Sequence, residues 1–121
     1  MEKDKILICD DEEGVRESLK LILSDKYELL FAENAEEAVK ITKSSPDKIK
    51  LVLLDIKMPK RSGLEALKEI KSYNKDMDVI IITGYQSVET AAEAIRQGAV
   101  NYIVKPFESK SVLEAVKKIF S

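Results

Sequence analysis

Short apolar runs alternate five times with longer stretches of helical period along this chain, and that alternation leaves few ways to fold it. The runs cover residues 6–9, 28–32, 51–54, 79–82 and 102–104. Most are Val, Ile and Leu without polar alternation, the composition of strands covered on both faces of a parallel sheet. The second run is the most polar and is expected at an edge. In the first intervening stretch Val15, Leu19, Ile22 and Leu23 share one helical face; in the last, Val112, Leu113, Val116, Ile119 and Phe120 form a similar stripe. Asn34, Ser62 and Ser111 stand three residues before Glu37, Glu65 and Glu114, the spacing of a capping box. Gly98 suits the left-handed position that ends the fourth helix, and Pro46 and Pro59 suit loops.

Strand followed by helix, five times over, predicts an α/β fold: a doubly wound, five-stranded parallel sheet of flavodoxin-like order 2-1-3-4-5. The chain has 121 residues, the length of one domain, and shows no linker, internal repeat or low-complexity segment. The last helical stripe runs to the C-terminus, so a single domain over residues 1–121 is expected.

Composition narrows the chemistry. Net charge is −2, with Lys and Arg interspersed among Asp and Glu, so there is no electrostatic footprint for nucleic acid or an anionic membrane. No stretch approaches the roughly 20 apolar residues of a membrane span, and no secretory signal precedes the first run; a cytoplasmic location is expected. Cys9 is the single cysteine, which excludes an intrachain disulfide and, inside an apolar run, reads as a small core residue. The chain has no histidine, which removes Ser-His-Asp and Cys-His nucleophile systems and His-ligated zinc.

Polar residues follow four of the strands: Asp10-Asp11-Glu12-Glu13 after the first, Asp55 after the third, Thr83-Gly84 after the fourth, and Lys105-Pro106 after the fifth. Parallel strands bring their carboxyl ends to one edge, where ligands of open α/β sheets bind, and order 2-1-3-4-5 makes strands one and three neighbours there. Asp10, Asp11 and Asp55 then crowd together and repel unless a cation joins them. An all-oxygen donor set with few protein groups suits Mg²⁺, while Lys105 and Thr83 supply a charge and a hydroxyl for phosphate. Such a set describes a phosphoryl-transfer site with a carboxylate nucleophile. Each residue also has a plainer reading. The acids before the first helix serve as caps, Asp55 and Thr83 as turn formers, Lys105 as a solvated strand end, Pro106 as a strand stop, and Tyr102 as core. It is their coincidence at matching strand ends that favours a site.

Cys9-Asp10-Asp11-Glu12, Leu53-Leu54-Asp55-Ile56-Lys57-Met58-Pro59 with Gly63, Thr83-Gly84-Tyr85, and Gly98-Ala99-Val100-Asn101-Tyr102-Ile103-Val104-Lys105-Pro106-Phe107 follow in order. Together this set resembles the response-regulator receiver domain of two-component signalling, over practically the whole chain. The resemblance implies that Asp55 accepts a phosphoryl group from a phosphohistidine on a sensor histidine kinase or histidine phosphotransfer protein. It implies Mg²⁺, replaceable by Mn²⁺, held by Asp10 (directly or through water), Asp11, Asp55 and the backbone carbonyl of Lys57. It further implies that Lys105 binds the phosphate beside a cis peptide at Pro106, and that Thr83 and Tyr102 move as switch residues. These movements would remodel the surface of helix four, strand five and helix five toward an output partner, an effector domain or a phosphorylation-dependent second copy. The resemblance further implies that the side chains of Lys57 and Tyr85 alter access of water to the acyl phosphate. The stretch from Thr83 to Ala91 is similar to receivers attached to ATPase-type transcriptional activators.

Two other readings compete. One is an aspartyl-phosphate-forming phosphohydrolase on a similar sheet. Haloacid-dehalogenase-like enzymes, however, carry a second Asp where this chain has Lys57, and no G-x-G-x-x-G or G-x-x-x-x-G-K-[ST] motif offers a nucleotide cradle. The other is a dimerisation module independent of phosphorylation. The leading expectation is a switch, not a turnover enzyme.

Overall fold

The computed structural model describes residues 3–44, 49–58, 62–84 and 88–121. Pro46, Pro59 and Tyr85 lie outside the described residues. Five strands alternate with five helices: β1 (Lys5–Cys9), α1 (Glu13–Leu23), β2 (Glu28–Ala32), α2 (Ala35–Ser44), β3 (Ile49–Leu54), α3 (Gly63–Tyr73), β4 (Asp78–Thr83), α4 (Val88–Arg96), β5 (Asn101–Val104) and α5 (Ser109–Phe120). All pairings are parallel and the order is β2-β1-β3-β4-β5, as the alternation predicts. The polar run, β2, is an edge strand; β5 is the other.

The period of two along each strand divides the core. Ile6 and Ile8 point to one face with Leu51, Leu53, Ile80 and Ile82, where they meet Leu19 and Leu23 of α1 and Val112 and Val116 of α5. Leu7, Val52, Leu54, Val79 and Ile81 point to the other, against Ala38 and Val39 of α2, Leu67 and Ile70 of α3 and Ala94 of α4. The central strands are therefore apolar at every position. Cys9 belongs to the second face, 1 % exposed, and burial pushes its thiol up to about 12, with the charges of Asp10 and Asp55 acting the same way. It is a core residue.

Two of the three expected caps form. Asn34 Oδ1 accepts from the N–H of Glu37 at 2.8 Å, and Ser62 Oγ from the N–H of Leu64 at 3.0 Å. Gly98 has φ +106°, the left-handed conformation expected after α4. The third expectation is corrected. Helix α5 starts at Ser109 with Glu108 as its N-cap, so Ser111 lies inside the first turn. Val112 is buried and its N–H donates to Glu108 O at 3.3 Å; seating that side chain draws the helix back to a start ahead of Ser111. Leu113, counted in the apolar stripe, is 38 % exposed, because burial centres on Val112, Ala115 and Val116.

The helices are not equally anchored. Helix α3 buries four residues, whereas α4 buries only Ala94 and leaves Val88 and Ile95 in solvent. Core truncation should report this contrast between buried and exposed positions. Leu67→Ala, at a fully buried site, is expected to cost about 2–5 kcal/mol in urea unfolding. Leu21→Ala, at a residue 85 % exposed, should change stability by no more than about 0.5 kcal/mol.

Candidate phosphoryl-transfer and metal site

The sheet builds the site one residue beyond its own strands. The last ladder bonds continue past the strand ends: Asp55 N–H donates to Cys9 O at 3.0 Å, Asp10 N–H to Ala32 O at 3.1 Å, and Lys105 N–H to Thr83 O at 2.8 Å. Cys9 pairs with Leu54 in the β1–β3 register, so Asp10 and Asp55 emerge side by side. Thr83 pairs with Val104, which sets Lys105 beside them from the far strand.

Lys105 closes the cluster. Its Nζ lies 2.7 Å from Asp10 Oδ2, 3.3 Å from Asp55 Oδ2 and 3.4 Å from Glu12 Oε1. The other carboxylate oxygens bond to their own loops: Asp10 Oδ1 accepts from Glu12 N–H at 2.9 Å and Asp55 Oδ1 from Lys57 N–H at 3.2 Å. Gly63 completes the floor. Its N–H donates to Ile56 O at 2.8 Å, and a Cβ there would overlap the carbonyl oxygen of Asp55. Asp10, Asp55 and Thr83 are buried, Asp11 and Glu12 exposed.

Burial pushes the Asp10 carboxyl above its ordinary value, and the Asp55 charge adds to that; the Lys105 ammonium and the Glu12 N–H pull the other way without reversing it. Burial alone would lower the Lys105 ammonium, but its hydrogen bond to Asp10 and the charges of Asp55 and Asp10 outweigh that and hold it above its ordinary value. Acid exceeds base here. Asp10, Asp11, Glu12 and Asp55 each place a carboxylate oxygen within 4.8 Å of the others. Oxygens on one Mg²⁺ at about 2.1 Å lie up to about 4.2 Å apart, so a small contraction suffices, and the hard all-oxygen set has the right chemistry.

The structure brings some of the expected site residues together and places the others nearby in the fold without joining them to the cluster. Asp10, Asp11, Asp55 and Lys105 converge; Thr83 ends β4, fully buried; the Lys105–Pro106 peptide is cis. Lys57 turns its N–H onto Asp55 while the residue itself is exposed. Tyr102 is half-buried and packs against the core face shared by α2, α3 and α4. Two participants were missed. Glu12 stands in the acidic cluster, and its only sequence signal is adjacency to the Asp pair. Arg16 donates to the Asp10 carbonyl at 2.8 Å, with no signal beyond lying one helical turn after Glu12.

This geometry agrees with what the chain is related to. The response regulator receiver domain profile matches residues 6–117, and the chain belongs to that family. Chemotaxis protein CheY of Halobacterium salinarum is 38% identical over 119 residues, covering 97% of this chain and 97% of that protein. Regulatory protein AtoC of Escherichia coli is 41% identical over 107 residues, covering 87% of this chain but 23% of that longer protein. A chain in the crystal structure of the CheX-CheY-BeF3-Mg²⁺ complex of Borrelia burgdorferi superimposes with a TM-score of 0.93 at 32% identity, covering 98% of this chain and 90% of that one. The protein is thus a phosphorylatable switch of two-component signalling, and the phosphohydrolase and phosphorylation-independent dimerisation readings are not favoured. Among the described residues no helix is long and apolar enough to cross a membrane.

The sign of the Asp10 shift has a measurable consequence. A carboxyl whose folded-state pKa is raised favours folding while protonated, and that gain is lost as pH rises through the folded-state value. Ionised Asp10 therefore costs stability at neutral pH. In metal-free buffer near pH 7, Asp10→Asn is expected to melt above the wild type, with the gap narrowing as pH falls toward about 4. Melting curves across that range decide it; equal midpoints at neutral pH would count against it.

Proposed function

We propose that Asp55 is the phosphoacceptor of this switch, with the acids and Lys105 around it acting as its phosphotransfer machinery. The observation that carries the reading is the Lys105 ammonium lying between Asp10 and Asp55, an arrangement that a phosphoryl group on Asp55 Oδ2 would enter directly. An Asp55 carboxylate oxygen attacks the phosphorus of a phosphohistidine on a sensor kinase or phosphotransfer protein. The P–O bond forms as the P–N bond breaks, and the electron pair stays on the imidazole nitrogen, which takes up a proton. Asp10, Asp11, Asp55 and the Lys57 carbonyl would hold Mg²⁺ (or Mn²⁺), which when bound neutralises charge on the phosphoryl oxygens.

Lys105 then exchanges a carboxylate partner for a phosphoryl oxygen, and the Thr83 hydroxyl donates to another. Drawing Thr83 toward the phosphoryl leaves room for Tyr102 to turn inward. The helix in its path, α4, is anchored by Ala94 alone among the buried residues, which supports a change of the α4–β5–α5 surface rather than of the sheet. The added charge thereby shifts a two-state equilibrium toward the form that an output protein, an effector domain or a second copy recognises. Loss of the phosphoryl to water, assisted by the same residues, resets the switch. The same reading puts the domain in the cytoplasm, where a sensor kinase and an output partner would meet it.

Acetyl phosphate or beryllofluoride with Mg²⁺ is expected to shift the backbone amide spectrum around Asp55, Thr83 and Tyr102, and acetyl phosphate to deliver one phosphoryl group per chain. Asp55→Asn should abolish both effects, and Lys105→Met should slow uptake at least tenfold, about 1.4 kcal/mol of barrier. An unchanged wild-type spectrum under saturating reagent would overturn the reading, as would multiple turnover of a small phosphoester.

A further inference from the structure

Behind the acid cluster lies a polar contact that phosphotransfer leaves unused. Arg16, in the first turns of α1, directs its guanidinium back to the end of β1: Nη1 donates to the backbone oxygen of Asp10 at 2.8 Å, and Nη2 lies 3.4 Å from Glu33 Oε1. The side chain is 15% exposed, so it is held in place rather than solvated. Asp10 N–H donates to Ala32, the residue before Glu33. The end of β2 thus grips Asp10 at its N–H directly and at its carbonyl by way of Arg16.

The carbonyl of Asp10 and the N–H of Asp11 belong to one planar peptide group, so fixing the first sets the direction in which the second leaves. Asp11 depends on that. Asp10 and Asp55 are each aimed by a loop N–H and by Lys105, whereas among the described residues the exposed Asp11 side chain makes no hydrogen bond. We propose that Arg16 is a positioning residue for the divalent-cation site, bracing the Asp10–Asp11 peptide so that both carboxylates aim at one ion. This rests on the reading that Asp10, Asp11 and Asp55 hold Mg²⁺.

Charge makes the proposal discriminating. A guanidinium beside a cation site repels the incoming ion, so an arginine acting through its charge alone weakens binding, and its removal should tighten it. A positioning arginine gives the opposite sign, with the 10- to 100-fold losses typical of groups that orient metal ligands. The test is Mg²⁺ affinity by calorimetry and Mn²⁺ affinity by electron paramagnetic resonance, on wild type, Arg16→Met and Arg16→Lys, with urea unfolding in chelator alongside. Arg16→Met is expected to bind Mg²⁺ about tenfold more weakly. Arg16→Lys, which keeps the charge but loses the two-pronged reach, should fall between it and the wild type.

Affinity in Arg16→Met equal to or tighter than wild type would overturn the proposal, including the case in which only the urea midpoint falls. Should Arg16→Met fail to fold, Arg16→Lys decides, and wild-type affinity in it overturns the proposal. A wild type that binds no divalent cation overturns the metal reading itself, an outcome separable from these.

Discussion

Two carboxylates are forced together by the pairing of β1 with β3, and the rest of the site answers that one constraint. Adjacent parallel strands in this register deliver Asp10 and Asp55 to neighbouring positions, both nearly removed from water. Two buried anions of like sign are costly to hold unless a cation and good hydrogen bonds compensate them. Here the compensation arrives from three directions. Lys105 crosses from β5, the Glu12 and Lys57 amides bond from the loops, and Arg16 secures the Asp10 carbonyl from behind. Compensation is incomplete, because the Asp11 and Glu12 carboxylates crowd the same space. An acid excess held on a rigid floor is an open invitation to a divalent cation and, with it, to phosphate.

The floor is rigid for an ordinary reason. Each central strand sends alternate side chains into two separate cores, so displacing the end of β1 or β3 would disturb packing on both faces at once. The lid is not. Helix α4 commits one buried residue to the core, and β5 beside it is a short edge strand. A charge change at Asp55 would therefore meet a sheet packed on both faces and a helix with one buried residue.

Much of this was legible in the chain itself. Apolar runs without alternation identify buried parallel strands, and parallel strands in that order place Asp10, Asp55, Thr83 and Lys105 at one edge although 95 residues separate the first from the last. What escaped was set by contacts that leave no periodic trace. Ser111 has the spacing of a cap, yet the burial of Val112 outweighs it and Glu108 opens the helix. Leu113 fits a stripe on paper and faces solvent because α5 is rotated to seat Val112 and Val116. Arg16 reads as one more charge on a solvated helix face; its role depends on the end of β2 coming alongside, which only the folded sheet supplies.

The same crowding bears on how a phosphoryl group on Asp55, as proposed above, would act as a switch. A phosphoryl group on a carboxylate brings close to two negative charges and three strong acceptor oxygens. Added to an isolated surface aspartate, that charge would be screened by solvent and salt within about a Debye length and would bias little. Added to the acid cluster proposed above, it would compete for the Lys105 ammonium that bonds Asp10 in the resting site, with the buried Thr83 at the end of β4 as the proposed hydroxyl donor. The Thr83 backbone carbonyl accepts from Lys105 N–H, so the two residues are joined by one β4–β5 ladder bond. On the function proposed above, the unbalanced charge of the resting site is what would couple the chemical event to β5, and a fully neutralised site would report it less.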